Sequence, residues 1–167
     1  MNQANTTPNH TPSASLICTS RFLDVTAYSG YRGYRLDRTA FGRTFANDVG
    51  HDEVGAAVKQ ALSSSRLIDY SEIKAFFEPK AMEKSYTDWV NELIARFCYK
   101  SRGAMHQDMR RCNAELRGAT IHFFPTRRDR SEGFSNIGED ALDVMVPIEV
   151  PDSEVGAAVR LALSRCR

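Results

Sequence analysis

The stretch EVGAAVKQALSSSR, residues 53–66, returns almost unchanged as EVGAAVRLALSRCR at residues 154–167. Ten of the fourteen aligned positions are identical, and one of the four differences exchanges Lys59 for Arg160. In the first copy, apolar residues fall at i, i+3, i+4, i+7 and i+8, which is the spacing of one face of an α-helix. Neither copy combines a nucleophile with a base, so we interpret both as helices that pack rather than react.

A glycine stands at the third position of each copy, at Gly55 and Gly156. Glycine inside a helix costs up to about 1 kcal/mol relative to alanine. Its presence in both copies indicates that another backbone passes too close to leave room for a Cβ. Alanines surround both glycines, and this small-residue face predicts tight packing of each helix onto a sheet.

Strand patterns precede both copies of the repeat. Residues 15–30 and 31–45 come before the first copy, and residues 119–126 and 141–150 come before the second. Between them, Trp89, Leu93 and Phe97 mark a helix over residues 85–100. The order strand, strand, helix thus occurs twice. It predicts an α+β fold with a mostly antiparallel sheet, packed helices and a pseudo-repeat of a β-β-α element.

Length and composition favour one domain. The chain has 167 residues and a formal net charge of +1, so no overall charge draws it to nucleic acid or membrane. No stretch reaches the roughly 20 apolar residues that a membrane helix needs. Residues 1–15 are polar and uncharged and resemble no signal peptide, so we expect a disordered leader, a single domain over residues 16–167 and a cytoplasmic location.

The cysteines and histidines suggest no metal or cofactor. The four cysteines match no compact disulfide framework, and free thiols are the better interpretation. A zinc site from Cys98, His106, Cys112 and His122 would lack the closely paired ligands of structural zinc sites. We therefore expect no metal site and no cofactor.

Charge is distributed unevenly along the second half of the chain. Residues 131–159 contain seven acids and no Lys or Arg. Such an acidic surface can steer a basic partner towards it. Five of these acids form the predicted partner-binding set: Glu132, Glu139, Asp140, Asp143 and Glu149.

The segment before the acids supports an alternative function. Residues 96–130 contain nine Lys or Arg against three acids, together with His106 and His122. A histidine pair beside cations can cleave RNA, so an RNA-binding or RNA-cleaving domain stays open. Tyrosines and arginines in residues 31–45 could also stack on bases, although a half-exposed strand with snorkelling arginines is the better interpretation. Phosphate-binding loops and hydrolase motifs are absent from the sequence, and we expect no enzyme.

Four motifs in order resemble the immunity proteins of bacterial contact-dependent growth inhibition, the CdiI family. They are DEVGAAVKQALSSSR, FCYKSRGAMHQDMRRCN, ATIHFFPT and VMVPIEVPDSEVGAAVRLALSRCR, within residues 35–167. The resemblance implies a non-catalytic antidote that binds the C-terminal toxin domain of a cognate CdiA effector, a nuclease in many members. It implies no direct contact with nucleic acid or membrane. In that setting the acids between Glu132 and Glu149 would imitate phosphates in front of a basic nuclease cleft.

Overall fold

The computed structural model describes residues 9–129 and 133–167. Within them the strands are β1 (Ser13–Cys18), β2 (Phe22–Gly30), β3 (Tyr34–Leu36), β4 (Gly42–Ala46), β5 (Arg110–Arg117), β6 (Thr120–Arg128), β7 (Phe134–Asn136) and β8 (Val144–Pro147). The helices are α1 (His51–Ser64), α2 (Ile73–Phe76), α3 (Pro79–Arg96), α4 (Arg102–His106) and α5 (Asp152–Ser164). Short 3-10 turns occupy Tyr70–Glu72 and Asp140–Leu142.

All the strand pairs of the sheet are antiparallel. The order is β3-β2-β1-β5-β6-β7, with β4 also pairing with β2 and β8 also pairing with β6. At the centre, β1 lies beside β5 with Leu16 opposite Cys112. The predicted α+β class with a mostly antiparallel sheet is confirmed.

The two halves of the chain share one topology. In each half, two long strands form a hairpin, two short strands pair with the second long strand, and a long helix follows. The first half ends with α1 and the second with α5. The pseudo-repeat predicted from the sequence is therefore present, with more strands in each unit than predicted. Strand β5 was not anticipated.

At their glycines the repeated helices press against each other, whereas the sequence predicted that the glycine face would pack onto a sheet. Other apolar residues of both helices do pack on the sheet. A Cβ built on Gly55 would overlap the carbonyl of Asp152 and lie 2.6 Å from its carbon. A Cβ built on Gly156 would meet the carbonyl of His51 in the same way, again 2.6 Å from the carbon. Both contacts join equivalent positions of the repeat, so the first turns of α1 and α5 cross about an approximate two-fold axis.

The Lys59/Arg160 pair obeys the same symmetry. Lys59 Nζ donates to the carbonyl of Val150 over 2.7 Å, and Arg160 Nη2 donates to the carbonyl of Val49 over 3.2 Å. Val49 and Val150 are equivalent positions in the two halves. The positive charge that the two copies share thus binds each helix to the segment that precedes the other helix. Lys59 also forms an ion pair with Asp152 at 2.8 Å.

Helices cover both faces of the sheet and create two cores. The larger core lies under α1 and α5 and is built from inward-facing residues of the central strands, such as Leu16 and Phe123. The smaller core lies on the opposite face beneath α3 and α4, where Ile17 and Phe22 meet Trp89 and Leu93. Since alternate residues of a strand point to opposite faces, Leu16 and Ile17 enter different cores.

Helix α3 starts earlier than the sequence suggested. The predicted start was Ser85, but the helix begins at Pro79, where the Glu78 side chain accepts a hydrogen bond from the backbone of Ala81. Proline at the first helical position is tolerated because no intrahelical partner awaits its missing N–H. Pro79 therefore starts this helix.

The leader boundary also differs from the expected one. Residues 13–15 belong to the central strand β1, and the carbonyl of Pro12 accepts a hydrogen bond from the backbone of Leu116 over 2.9 Å. The boundary drawn after residue 15 was therefore placed too late. Residues 1–8 lie outside the described residues.

Candidate functional site

Four of the five predicted acids bracket the edge strand β8. Glu139 and Asp140 belong to the turn before it, Asp143 directly precedes it, and Glu149 follows it. Glu139, Asp140 and Glu149 are exposed, whereas Asp143 is half-buried. Glu132 falls outside the described residues. The described acids thus lie at the two ends of one edge strand, and between them Met145 is 61% exposed.

Asp143 has the most perturbed surroundings of these acids. Partial burial raises the pKa of its carboxyl, and the neighbouring charge of Asp140 adds to that rise. Arg117 acts in the opposite direction and lowers the pKa of Asp143. The turn itself is held by Arg165, whose Nη1 donates to the carbonyls of Leu142 and Asp143 at 3.0 Å each.

Most arginines of the basic segment are already engaged within the protein. Arg117 pairs with Glu115 at 2.7 Å, and Arg127 pairs with Asp129 at 3.6 Å. Arg128 donates to the carbonyl of Met109 at 2.7 Å and to that of His106. In the described part of this segment, such internal pairing competes with binding to a phosphate backbone, which is made through many Lys and Arg contacts.

The two histidines of the RNA-cleavage alternative serve different parts of the fold. His106 is buried, and its ring nitrogens bond to the Tyr86 hydroxyl at 2.9 Å and the Arg102 carbonyl at 2.8 Å. His122 lies on β6, where its ring stacks near Phe124 with centroids 6.2 Å apart. His106 thus acts as a structural link between α3 and α4, whereas His122 lies on a strand of the sheet.

The imagined zinc ligands also stay apart. Cys98 is exposed after α3, whereas Cys112 is buried in the core beneath α1 and α5. Within residues 9–129 and 133–167, no three His, Cys, Asp or Glu side chains are grouped as metal ligands would be.

A cleft that sequence reasoning missed opens between α3 and the sheet. It encloses about 350 Å³, and Tyr28, Tyr34, Leu36, Tyr86 and Arg111 are among the residues that line it. These residues come from β2, β3, α3 and β5, which the topology brings together. The alternation of tyrosine and arginine in residues 31–45 was the available sequence signal. It predicted a strand with one solvent-exposed face, but it did not indicate that α3 forms the other side of a cleft.

Comparison with known proteins identifies the family. A family model described as CdiI, CDI immunity protein, matches residues 12–166. The chain belongs to this family. The resemblance noted in the four sequence motifs is thereby confirmed.

Individual relatives and solved structures are similar to this chain over nearly its whole length. Immunity protein CdiI-YPIII of Yersinia pseudotuberculosis serotype O:3 is 30% identical, and the match covers 92% of this chain and 94% of that protein. In the solved CdiA-CT/CdiI toxin and immunity complex from Yersinia pseudotuberculosis, one chain is 27% identical with a TM-score of 0.83, covering 95% of this chain and 99% of that one. A protein of unknown function from Neisseria meningitidis is 30% identical with a TM-score of 0.86, covering 97% of this chain and all of that one.

The CdiI match extends from the start of β1 to the end of α5, so the duplicated topology lies within the family fold. Among the described residues, no helix combines the length and apolar character that crossing a bilayer requires.

Proposed function

We propose that this chain binds and neutralises the C-terminal toxin domain of a cognate CdiA protein. The observation that carries the proposal is the likeness, in sequence and fold, to a chain of the Yersinia toxin and immunity complex over 95% of this chain. The chain would act in the cytoplasm as a stoichiometric inhibitor, without catalysing a reaction itself. We further propose that the toxin is a nuclease.

The acidic surface beside β8 supplies a physical mechanism for inhibition. Asp140, Asp143 and Glu149 present carboxylates at both ends of an edge strand, and Glu132 adds to the same acidic segment of sequence. A nuclease cleft that binds phosphates carries basic side chains, and carboxylates would compete for them. Complementary charge accelerates association and excludes partners of the wrong charge. Binding there would block access of the substrate.

Co-purification tests the proposed function. The toxin domain encoded with this chain is expressed with an affinity tag together with the untagged chain. We expect a complex with a stoichiometry of one to one and full loss of nuclease activity on plasmid DNA or tRNA. Nuclease–immunity pairs reach Kd values of about 10⁻¹³ M or below, so the complex should survive extensive dilution. A toxin that stays active and unbound at micromolar concentrations of this chain contradicts the proposal.

The chain alone provides the catalytic control. Incubated in excess with tRNA, it should leave the RNA intact. If instead it cleaves RNA and the cleavage disappears in His106→Ala or His122→Ala, the protein is an enzyme and the inhibitor proposal fails.

A further inference from the structure

Arg111 stands out among the charged residues of the described chain. It lies on β5, on the sheet face opposite α1 and α5, and its guanidinium sits 5.5 Å from the ring centroid of Tyr28. The side chain is largely buried, and Nε has no hydrogen-bond partner. Within the described residues, no carboxylate forms an ion pair with it.

The other two arginines of the same cleft have partners. Arg38 forms an ion pair with the fully buried Asp24 at 3.0 Å, and its guanidinium lies 4.4 Å from the centroid of the Trp89 ring. Arg35 donates a hydrogen bond to the carbonyl of Phe76. Among the described residues of this cleft, Arg111 is therefore the arginine whose side chain has neither an ion pair nor a hydrogen bond.

A buried, unpaired cation is costly, because the interior does not replace the water that solvated it. In agreement, burial lowers the pKa of Arg111. Two further polar atoms on the same face of the sheet lack hydrogen-bond partners. Ser15 is fully buried and lies opposite Asn113 in the β1–β5 register. Neither the Ser15 Oγ nor the Asn113 Oδ1 has a partner. Unsatisfied polar atoms thus cluster on one face of the sheet, beside an open cleft.

The walls of the cleft suit an amphipathic guest. Tyr28, Tyr34 and Tyr86 provide aromatic surface, and Leu36 and Met82 add apolar surface. Interfaces concentrate their binding energy in such places, where tyrosine and arginine surround a desolvated centre. The planar guanidinium offers parallel N–H donors that match the two oxygens of a carboxylate.

We propose that Arg111 receives the carboxylate of an aspartate or glutamate side chain that the toxin domain inserts into this cleft. The inference rests on the proposed function and adds a second, oppositely charged contact to the acidic surface beside β8. Nucleic acid is a poorer guest, because the backbone of a polynucleotide is bound through many cations, and Arg38 of this cleft is already paired with Asp24.

Replacement of Arg111 by methionine tests the assignment. We expect R111M to bind the purified toxin domain about thirtyfold more weakly or worse, with a faster dissociation rate, because the inserted carboxylate then stays buried and unpaired. In the free chain, R111M should unfold at the same temperature as the wild type or higher, because an uncompensated charge has been removed. A structural role for Arg111 would instead lower the melting temperature.

Arg110 provides a matched control on the same strand. It is exposed, and its side chain points to the opposite face of the sheet, where it lines a different cleft. R110M removes the same charge one residue away and should keep its affinity for the toxin within about threefold, as exposed charges contribute little.

A double-mutant cycle then identifies the guest. Each exposed Asp or Glu of the toxin is changed to Asn or Gln and measured against wild-type chain and R111M. One toxin residue should weaken binding to the wild type and have little further effect in R111M. Strict additivity for every toxin acid, or full affinity of R111M, overturns the Arg111 assignment while leaving the proposed function intact. A wild-type chain that fails to bind the toxin overturns both.

Labelled tRNA and duplex DNA serve as the competing guests. If the wild-type chain binds either one at micromolar concentrations in about 150 mM salt and R111M abolishes that binding, the guest is a phosphate and the carboxylate assignment is wrong.

Discussion

At the scale of single residues, Gly156 shows how a hydrogen in place of a methyl group determines the packing of two helices. Valine at this position would drive its side chain into the backbone of His51, and a backbone cannot rotate away as a side chain can. We expect Gly156→Val to lower the free energy of unfolding by about 3 kcal/mol, the upper range for overpacking. Urea denaturation monitored by the fluorescence of Trp89 measures the change.

The symmetry of the helix pair sharpens this prediction. Gly55→Val should be nearly as damaging as Gly156→Val, because its Cβ meets the equivalent carbonyl of Asp152. Gly103 is the control: the nearest atom to a Cβ there is the Ser101 Oγ at 3.9 Å, so Gly103→Ala should be neutral or slightly stabilising. If Gly156→Val unfolds at the same urea concentration as the wild type, α1 and α5 separate easily at this contact.

We expect the ionised carboxylate of Asp143 to destabilise the fold and to strengthen binding of the toxin. Burial raises the pKa of its carboxyl and Asp140 raises it further, so the folded state holds the proton more tightly than the unfolded state does. The charged form therefore destabilises the fold increasingly as the pH rises from about 4 through the raised pKa, and the full penalty persists at neutral pH. Asp143→Asn should stabilise the free chain at pH 7 and give no gain at low pH.

The measurement is a series of urea denaturation curves for wild type and Asp143→Asn between pH 4 and pH 7. The difference in the free energy of unfolding should grow with pH, and the same variant should bind the toxin more weakly. A gain that is equally large at pH 4 and pH 7 would show that the carboxylate charge is not its cause.

At the scale of elements, the sequence predicted which segments form helices. It predicted less well which surfaces those helices contact. The apolar spacing in residues 53–66 located α1 because a helix face repeats every 3.6 residues. The same spacing cannot tell whether the opposing surface is a sheet or another helix. Strand β5 was missed because Asn113, Ala114 and Glu115 are residue types depleted in strands, although apolar and polar residues do alternate from Arg111 to Leu116.

The helix pair carries its own prediction through Arg160. Its guanidinium donates to the Asn47 side chain at 2.9 Å and to the carbonyls of Asn47 and Val49 at 2.6 and 3.2 Å. We expect Arg160→Met to cost about 2 kcal/mol in the free energy of unfolding, because two half-buried carbonyls lose a charged donor. Leu161→Gln, which copies Gln60 of the first repeat at an exposed position, should stay near wild type in the same denaturation series.

The cleft at Arg111 was beyond sequence reasoning for a related reason. Tyr28, Tyr86 and Arg111 lie far apart along the chain, and they meet only because β1 separates β2 from β5 while α3 crosses the same face. By contrast, the acidic set was visible in the sequence since its members are neighbours. Local charge can be read from a sequence, whereas a cleft depends on strand order.

At the scale of the whole molecule, two near-equivalent halves produce a surface that is not symmetric. Glu149 and Asp48 occupy equivalent positions, each directly before the valine whose carbonyl accepts a hydrogen bond from the other half, and both are exposed. The proposed toxin contact involves Glu149 and leaves Asp48 free. Asp48 therefore serves as a control for Glu149 within the same protein.

Glu149→Gln should slow association with the toxin at low salt by about threefold to tenfold, because the removed charge contributes to steering. Asp48→Asn removes the same charge from the equivalent position in the other half and should leave the association rate unchanged. Both variants should keep the melting temperature of the wild type, since neither exposed carboxylate is expected to support the fold. Stopped-flow association rates measured over a range of salt concentrations decide the matter: equal rates for the two variants would place the toxin on another surface, and a slower Asp48→Asn would place it beside the first half of the repeat.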